Sequence, residues 1–70
     1  MEEHVYHVFG MDIPIYNCAL IEALNMLPAE SRVIVLAAYC AELPDRVIAD
    51  NLHLVRRTVS YRRLRALEKL

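Results

Sequence analysis

Five arginines, Arg56, Arg57, Arg62, Arg63 and Arg65, fall within ten residues, with Thr58, Ser60 and Tyr61 among them. A guanidinium stays charged at any physiological pH and presents a planar fork of donors that fits a phosphate or the edge of a guanine, and hydroxyls bond either. That is the chemistry of holding an anion. The formal net charge of −1 conceals a polarity along the chain: residues 1–45 carry seven acids against one base, Arg32, whereas residues 46–70 carry seven bases against Asp50 and Glu68. Phosphate backbones are the commonest partner of such a basic segment, because neutralising them releases condensed counterions. On charge alone, a helix with a solvated basic face remains open.

Bond-making chemistry finds little support. No nucleophile stands beside a base, no glycine-rich stretch could cradle a phosphate, and no carboxylate pair suggests acid–base work. His4 and His7 lack a third ligand at a metal-binding spacing, so no metal and no cofactor is expected. Cys18 and Cys40 are far apart and are read as core thiols in a reducing compartment. The longest apolar run, residues 33–41, is far too short to span a bilayer, and no basic stretch followed by an apolar run opens the chain, so the reading is a cytoplasmic protein without a membrane partner.

Seventy residues, 57% of them apolar and only one glycine, suit a compact helical domain. Residues 1–16 form an N-terminal arm, a short strand or an extended strap, broken by Gly10 and Pro14. From Asn17, a candidate N-cap, Leu20, Ala23, Leu24 and Leu27 recur at helical spacing. Pro28 and Glu30 suit the first turn of a second helix, whose apolar residues 33–41 crowd more than one stripe and mark it as the buried centre. Pro44 and Asp45 open a short third helix over residues 45–51. A three-residue turn around His53 leads to a fourth helix from about Val55. The predicted fold is all-α: an arm, residues 1–16, and a small four-helix domain, residues 17–70, containing a helix-turn-helix.

That motif needs a small residue where two helices cross, a turn residue tolerant of positive φ four positions later, and a β-branched core residue six beyond that. Ala49, His53 and Val59 stand there, with Ile48, Leu52 and Leu54 between the helices. On the fourth helix, Val55, Val59, Ala66 and Leu70 share the face expected to pack on the core; Arg57, Ser60, Tyr61 and Arg65 project away from it, flanked by Arg56. Arg63 falls near the packed face, where its stem would snorkel, and Leu64 near the outward one. An exposed Leu64 would suit the arm or a partner chain, so a homodimer is allowed without being required.

Leu27-Pro28-Ala29-Glu30-Ser31-Arg32-Val33, then Leu43-Pro44-Asp45-Arg46-Val47-Ile48-Ala49, then Arg56-Arg57-Thr58-Val59-Ser60-Tyr61-Arg62-Arg63, and finally Arg65-Ala66-Leu67-Glu68-Lys69-Leu70, together resemble region four of bacterial RNA polymerase sigma factors over residues 17–70. Short stand-alone sigma-like proteins of Gram-positive bacteria and their mobile elements are the nearest likeness. The resemblance implies binding to the minus-35 element of double-stranded promoter DNA and packing against the flap of the polymerase β subunit. It places base reading on Arg56, Arg57, Ser60 and Tyr61 and phosphate contact on Arg46; the chemistry of the fourth helix itself adds Arg62, Arg63 and Arg65 as contacts to phosphate more than to bases, with Thr58 counted in the DNA-binding set. Pro44 stands where a Ser or Thr cap is common and His53 where Gly or Asn is common. The minus-10-binding domain of sigma factors has no counterpart in these residues, so full initiation by this chain alone is not expected. Two alternatives stand beside this reading: a LuxR-type response-regulator output domain, and a protein-interaction module that binds RNA polymerase without DNA.

Overall fold

The computed structural model describes residues 3–70. The arm is neither a single strand nor a loose strap: β1 (His4–Val8) and β2 (Met11–Ile15) pair antiparallel, with Tyr6 opposite Ile13 and Val8 opposite Met11. Phe9 and Gly10, at φ 50° and 79°, form a two-residue turn with both φ positive, the geometry whose twist matches that of the strands. Alternation then turns Tyr6, Val8, Ile13 and Ile15 into the core and leaves Val5, His7, Asp12 and Pro14 outside. Pro14 occupies a non-hydrogen-bonded position of the ladder, where a missing N–H leaves no gap. The Tyr6 hydroxyl donates to Asn25 Oδ1 at 2.8 Å, pinning the hairpin to the first helix.

That helix, α1 (Cys18–Met26), begins where the Asn17 side chain accepts the Leu20 N–H at 3.0 Å. It buries Ile21 and Leu24 and stops at Leu27, which is extended (ψ 150°) because Pro28 excludes helical geometry from the residue before it. Arg32 reaches back from the next helix, donating through Nε to the Leu24 carbonyl at 3.0 Å, which also takes the Leu27 N–H, and through a terminal nitrogen to the Leu27 carbonyl at 3.2 Å, and so ties the end of α1 to α2.

Pro28 caps α2 (Ala29–Val35), one position before the first turn in which the sequence reading put it. The helix runs on as a π-helical turn, Leu36–Cys40. Ile34, Val35, Leu36 and Ala37 are all buried, and four consecutive residues at about 100° each leave almost no side uncovered, as expected of the central helix. A helix-turn-helix follows: α3 (Asp45–Leu52), then α4 (Arg56–Lys69), which packs against both α2 and α3.

Three expectations need correction. Cys18 and Cys40 lie at the surface, not in the core: Cys18 opens α1, and Cys40 is turned outward at the end of the π-helical turn. Of the four residues assigned to the packed face of α4, Val59 and Ala66 are buried, but Val55 and Leu70 are the capping residues at its two ends and remain 67% and 45% exposed. Arg63 does not snorkel into water; it is held by an ion pair described below. Among the described residues no helix is long and apolar enough to cross a membrane.

Candidate nucleic-acid interface

The turn between α3 and α4 has the geometry its residue types require. His53 adopts the left-handed conformation (φ 58°, ψ 40°), and its N–H and that of Leu54 both go to the Ala49 carbonyl, the latter at 2.9 Å. Both donors converge on one acceptor only because the chain reverses at a left-handed residue. Ala49 is 3% exposed where the helices cross, so a larger side chain would push them apart, and Val59 is wholly buried beneath the crossing. Val55, extended at ψ 152°, then starts α4.

Opposite the Val59–Ala66 seam, Arg57, Tyr61 and Arg65 recur every four residues and form one exposed row, with the Arg65 guanidinium 5.9 Å from the centre of the Tyr61 ring. Arg56 is exposed beside the first of them, at the helix N-terminus, where the backbone dipole adds partial positive charge. Arg46 is exposed on α3. Thr58, Ser60 and Arg62 are half-buried, and two of them are engaged. Ser60 Oγ donates to Asp45 Oδ2 at 2.6 Å, and Arg62 forms an ion pair with Glu30 of α2. Arg63 grips the same Asp45 side-on, Nε to Oδ1 at 3.1 Å and Nη2 to Oδ2 at 2.9 Å, and its remaining Nη1 donates to the Tyr39 hydroxyl at 3.3 Å. Hydrogen bonds from Arg63 and Ser60 hold the Asp45 carboxyl below its ordinary range, and the bonds to Asp45 and Tyr39 raise the Arg63 guanidinium further above neutrality.

A basic row on the second helix of a tight helix-turn-helix has the charge and shape to meet an anionic duplex. The profile described as sigma-70, region 4 matches residues 19–70. The chain belongs to the sigma-70 region 4 family. No curated protein and no solved structure matches it significantly. Region 4 is a promoter-recognising, DNA-binding domain of transcription and not an enzyme family, and its partners are promoter DNA and RNA polymerase.

The hairpin lies outside the residues matched to region 4 yet contributes four side chains to the core. In the sequence Asp45 stands only as a helix-start signal and Tyr39 only as one residue of an apolar run, and neither announces the part it plays here. An Asp at the start of one helix facing a Ser-x-x-Arg pair on the next was the available signal. Among the described residues no group of three or more His, Cys, Asp or Glu could hold a metal. His4 and His7 fall on opposite faces of β1, His4 against the Tyr6 ring and His7 bonded to Asp12 at 2.5 Å. Desolvation pushes the Cys40 thiol up, away from the thiolate form a nucleophile needs.

Proposed function

We propose that this chain is a sigma-like transcription regulator that reads promoter DNA with α4 and contacts RNA polymerase. One observation carries the reading: Arg57, Tyr61 and Arg65 stand in an exposed row opposite the buried seam of α4, with Arg56 at its N-terminus. Laid in a major groove, that row brings Arg57 and Tyr61 to base edges and leaves Arg65 for phosphate, while Arg46 meets the backbone from α3. Thr58 and Arg62 flank the row, Arg62 after release from Glu30. In this scheme residues 17–70 are the DNA-binding domain and residues 1–16 an arm that completes its core. Polymerase would meet the apolar surface beyond the DNA row, where Leu64, Leu67 and Leu70 are exposed, with the β-subunit flap as the contact. A homodimer through Leu64 would compete for part of that surface.

A binding selection on random duplex DNA tests the proposal. The chain should enrich one sequence, and Arg57→Ala should relax the preference at one or two adjacent base pairs, each worth about 1–3 kcal/mol. A preference that survives Arg57→Ala unchanged would remove Arg57 from the reading set. The exposed leucines favour one second reading, a module that binds polymerase without DNA; it predicts no affinity for duplex DNA even at low salt. The sigma-70 region 4 match favours that family over the response-regulator output domain.

A further inference from the structure

The side chains on α4 divide into those that face solvent and those spent on the protein itself, and the second group is concentrated on one carboxylate. Asp45 is the first residue of α3. Its two oxygens take the Ser60 hydroxyl at 2.6 Å and two nitrogens of Arg63 at 2.9 and 3.1 Å, and Arg63 carries the connection on to the Tyr39 hydroxyl at 3.3 Å. Tyr39 lies in the π-helical turn that continues α2. One carboxylate thus joins the start of α3, the middle of α4 and the end of the central helix. Ser60 and Arg63 are three residues apart, on the same side of α4.

Packing alone leaves α4 weakly fixed in rotation about its own axis. Of its fourteen residues only Val59 and Ala66 are buried, both small and both on one narrow line. Apolar packing therefore opposes a roll of the helix only along that line. Hydrogen bonds are directional, so two donors from the flank of α4 to a fixed carboxylate resist that roll. The row Arg57, Tyr61 and Arg65 lies roughly 160–240° around the helix from Val59, so a roll of α4 would move all three side chains together.

We propose that Asp45, Ser60 and Arg63 are positioning residues for DNA reading: Ser60 does not read a base, and instead, with Arg63, locks the rotation of α4 that aims Arg57, Tyr61 and Arg65. The proposal rests on the DNA-reading function argued above and reassigns Ser60, which the sequence resemblance places among the base-reading residues. A lock and a reader fail differently. Loss of a reader blunts the preference at the base pair it touches; loss of a lock blunts it everywhere, because every reader shifts.

The test uses the full chain, the duplex it selects and a scrambled duplex of equal length, with helical content checked by circular dichroism at the assay temperature. Asp45→Asn should weaken binding to the selected duplex about tenfold and to the scrambled duplex by much less, with preference lost evenly along the site. Ser60→Ala, a smaller perturbation that leaves the ion pair in place, should lose preference in the same even manner; combined with Asp45→Asn it should add little. Ser60→Thr, which keeps the hydroxyl, should restore the original preference. If Ser60→Ala instead relaxes a single base pair and its effect adds fully to that of Asp45→Asn, Ser60 is a reader and the proposal fails. If Asp45→Asn lowers the melting temperature but leaves the ratio of selected to scrambled affinity intact, the network only stabilises the fold and the proposal fails again. Should the unaltered chain select no sequence, the DNA-reading function falls and takes this inference with it, an outcome distinct from the other two.

Discussion

At the scale of single residues, charge in this molecule is spent in two ways. Arg56, Arg57, Arg65 and Arg46 are exposed, whereas Arg62 and Arg63 are paired with Glu30 and Asp45. The two pairs are unequal. Arg62 and Glu30 are both more than 40% exposed, which screens their attraction and leaves it worth little to stability, while the side chains of Arg63 and Asp45 are only 25% and 19% exposed and share several hydrogen bonds. Because the folded pKa of Asp45 is depressed, its contribution to stability is complete above the unfolded carboxylate value of about 4 and is lost as pH falls through that value towards the lower folded one. Asp45→Asn should therefore cost about 1–2 kcal/mol at pH 7 and should flatten the acid limb below about pH 4. Urea midpoints measured from pH 7 to pH 2 check this. An unchanged acid limb in the variant would mean that the bond network seen around Asp45 does not persist in solution.

At the scale of elements, each helix boundary follows from local chemistry and was legible in the sequence for that reason. Asn17 caps α1, Pro28 stops it and starts α2, Pro44 precedes α3, and His53 adopts the positive φ that the turn demands. What was not legible depends on partners distant in sequence. The arm reads as a strand or strap because nothing local to residues 4–9 announces that residues 11–15 will fold back on them. Ser60 reads as outward-facing and Arg62 as a DNA contact because Asp45 and Glu30, their partners, lie fifteen and thirty-two residues away. The π-helical turn leaves an apolar run unchanged in composition, so the outward turn of Tyr39 and Cys40 has no signature in hydrophobicity. Two turns allow opposite predictions from the same principle. His53 pays a left-handed penalty that glycine would not, partly offset by the greater entropy glycine loses on folding, so His53→Gly should stabilise by roughly 0.5 kcal/mol and the β-branched His53→Val should destabilise by about 1 kcal/mol or more. At Gly10, φ 79°, a Cβ would meet nothing within 4 Å, so Gly10→Ala carries backbone strain alone and should cost about 1 kcal/mol. Thermal unfolding reads all three; a His53→Gly variant less stable than the parent would show that the imidazole makes a compensating contact.

At the scale of the whole molecule, the acidic first part of the chain does more than balance the basic last part. Its carboxylates on α2 and α3 reach α4 and remove two arginines from the set free to meet phosphate. If the chain meets DNA as proposed, affinity rests on about four cations, Arg46, Arg56, Arg57 and Arg65, and the logarithm of the binding constant should fall with the logarithm of salt concentration at a slope of about −3.6. Between 50 and 200 mM salt that corresponds to a loss of roughly a hundredfold. Glu30→Gln releases Arg62 at little expense to the fold, because the pair is half-exposed, and should steepen the slope by about one unit while strengthening binding at low salt. The gain should be equal on selected and scrambled duplexes, since a freed guanidinium at the flank of α4 meets phosphate and not base edges. A titration of binding against salt for the two proteins decides it. A slope that does not change on Glu30→Gln would place Arg62 out of reach of the DNA, and a slope much shallower than −3 in the parent would mean that fewer of the four exposed arginines meet the backbone than the row on α4 allows.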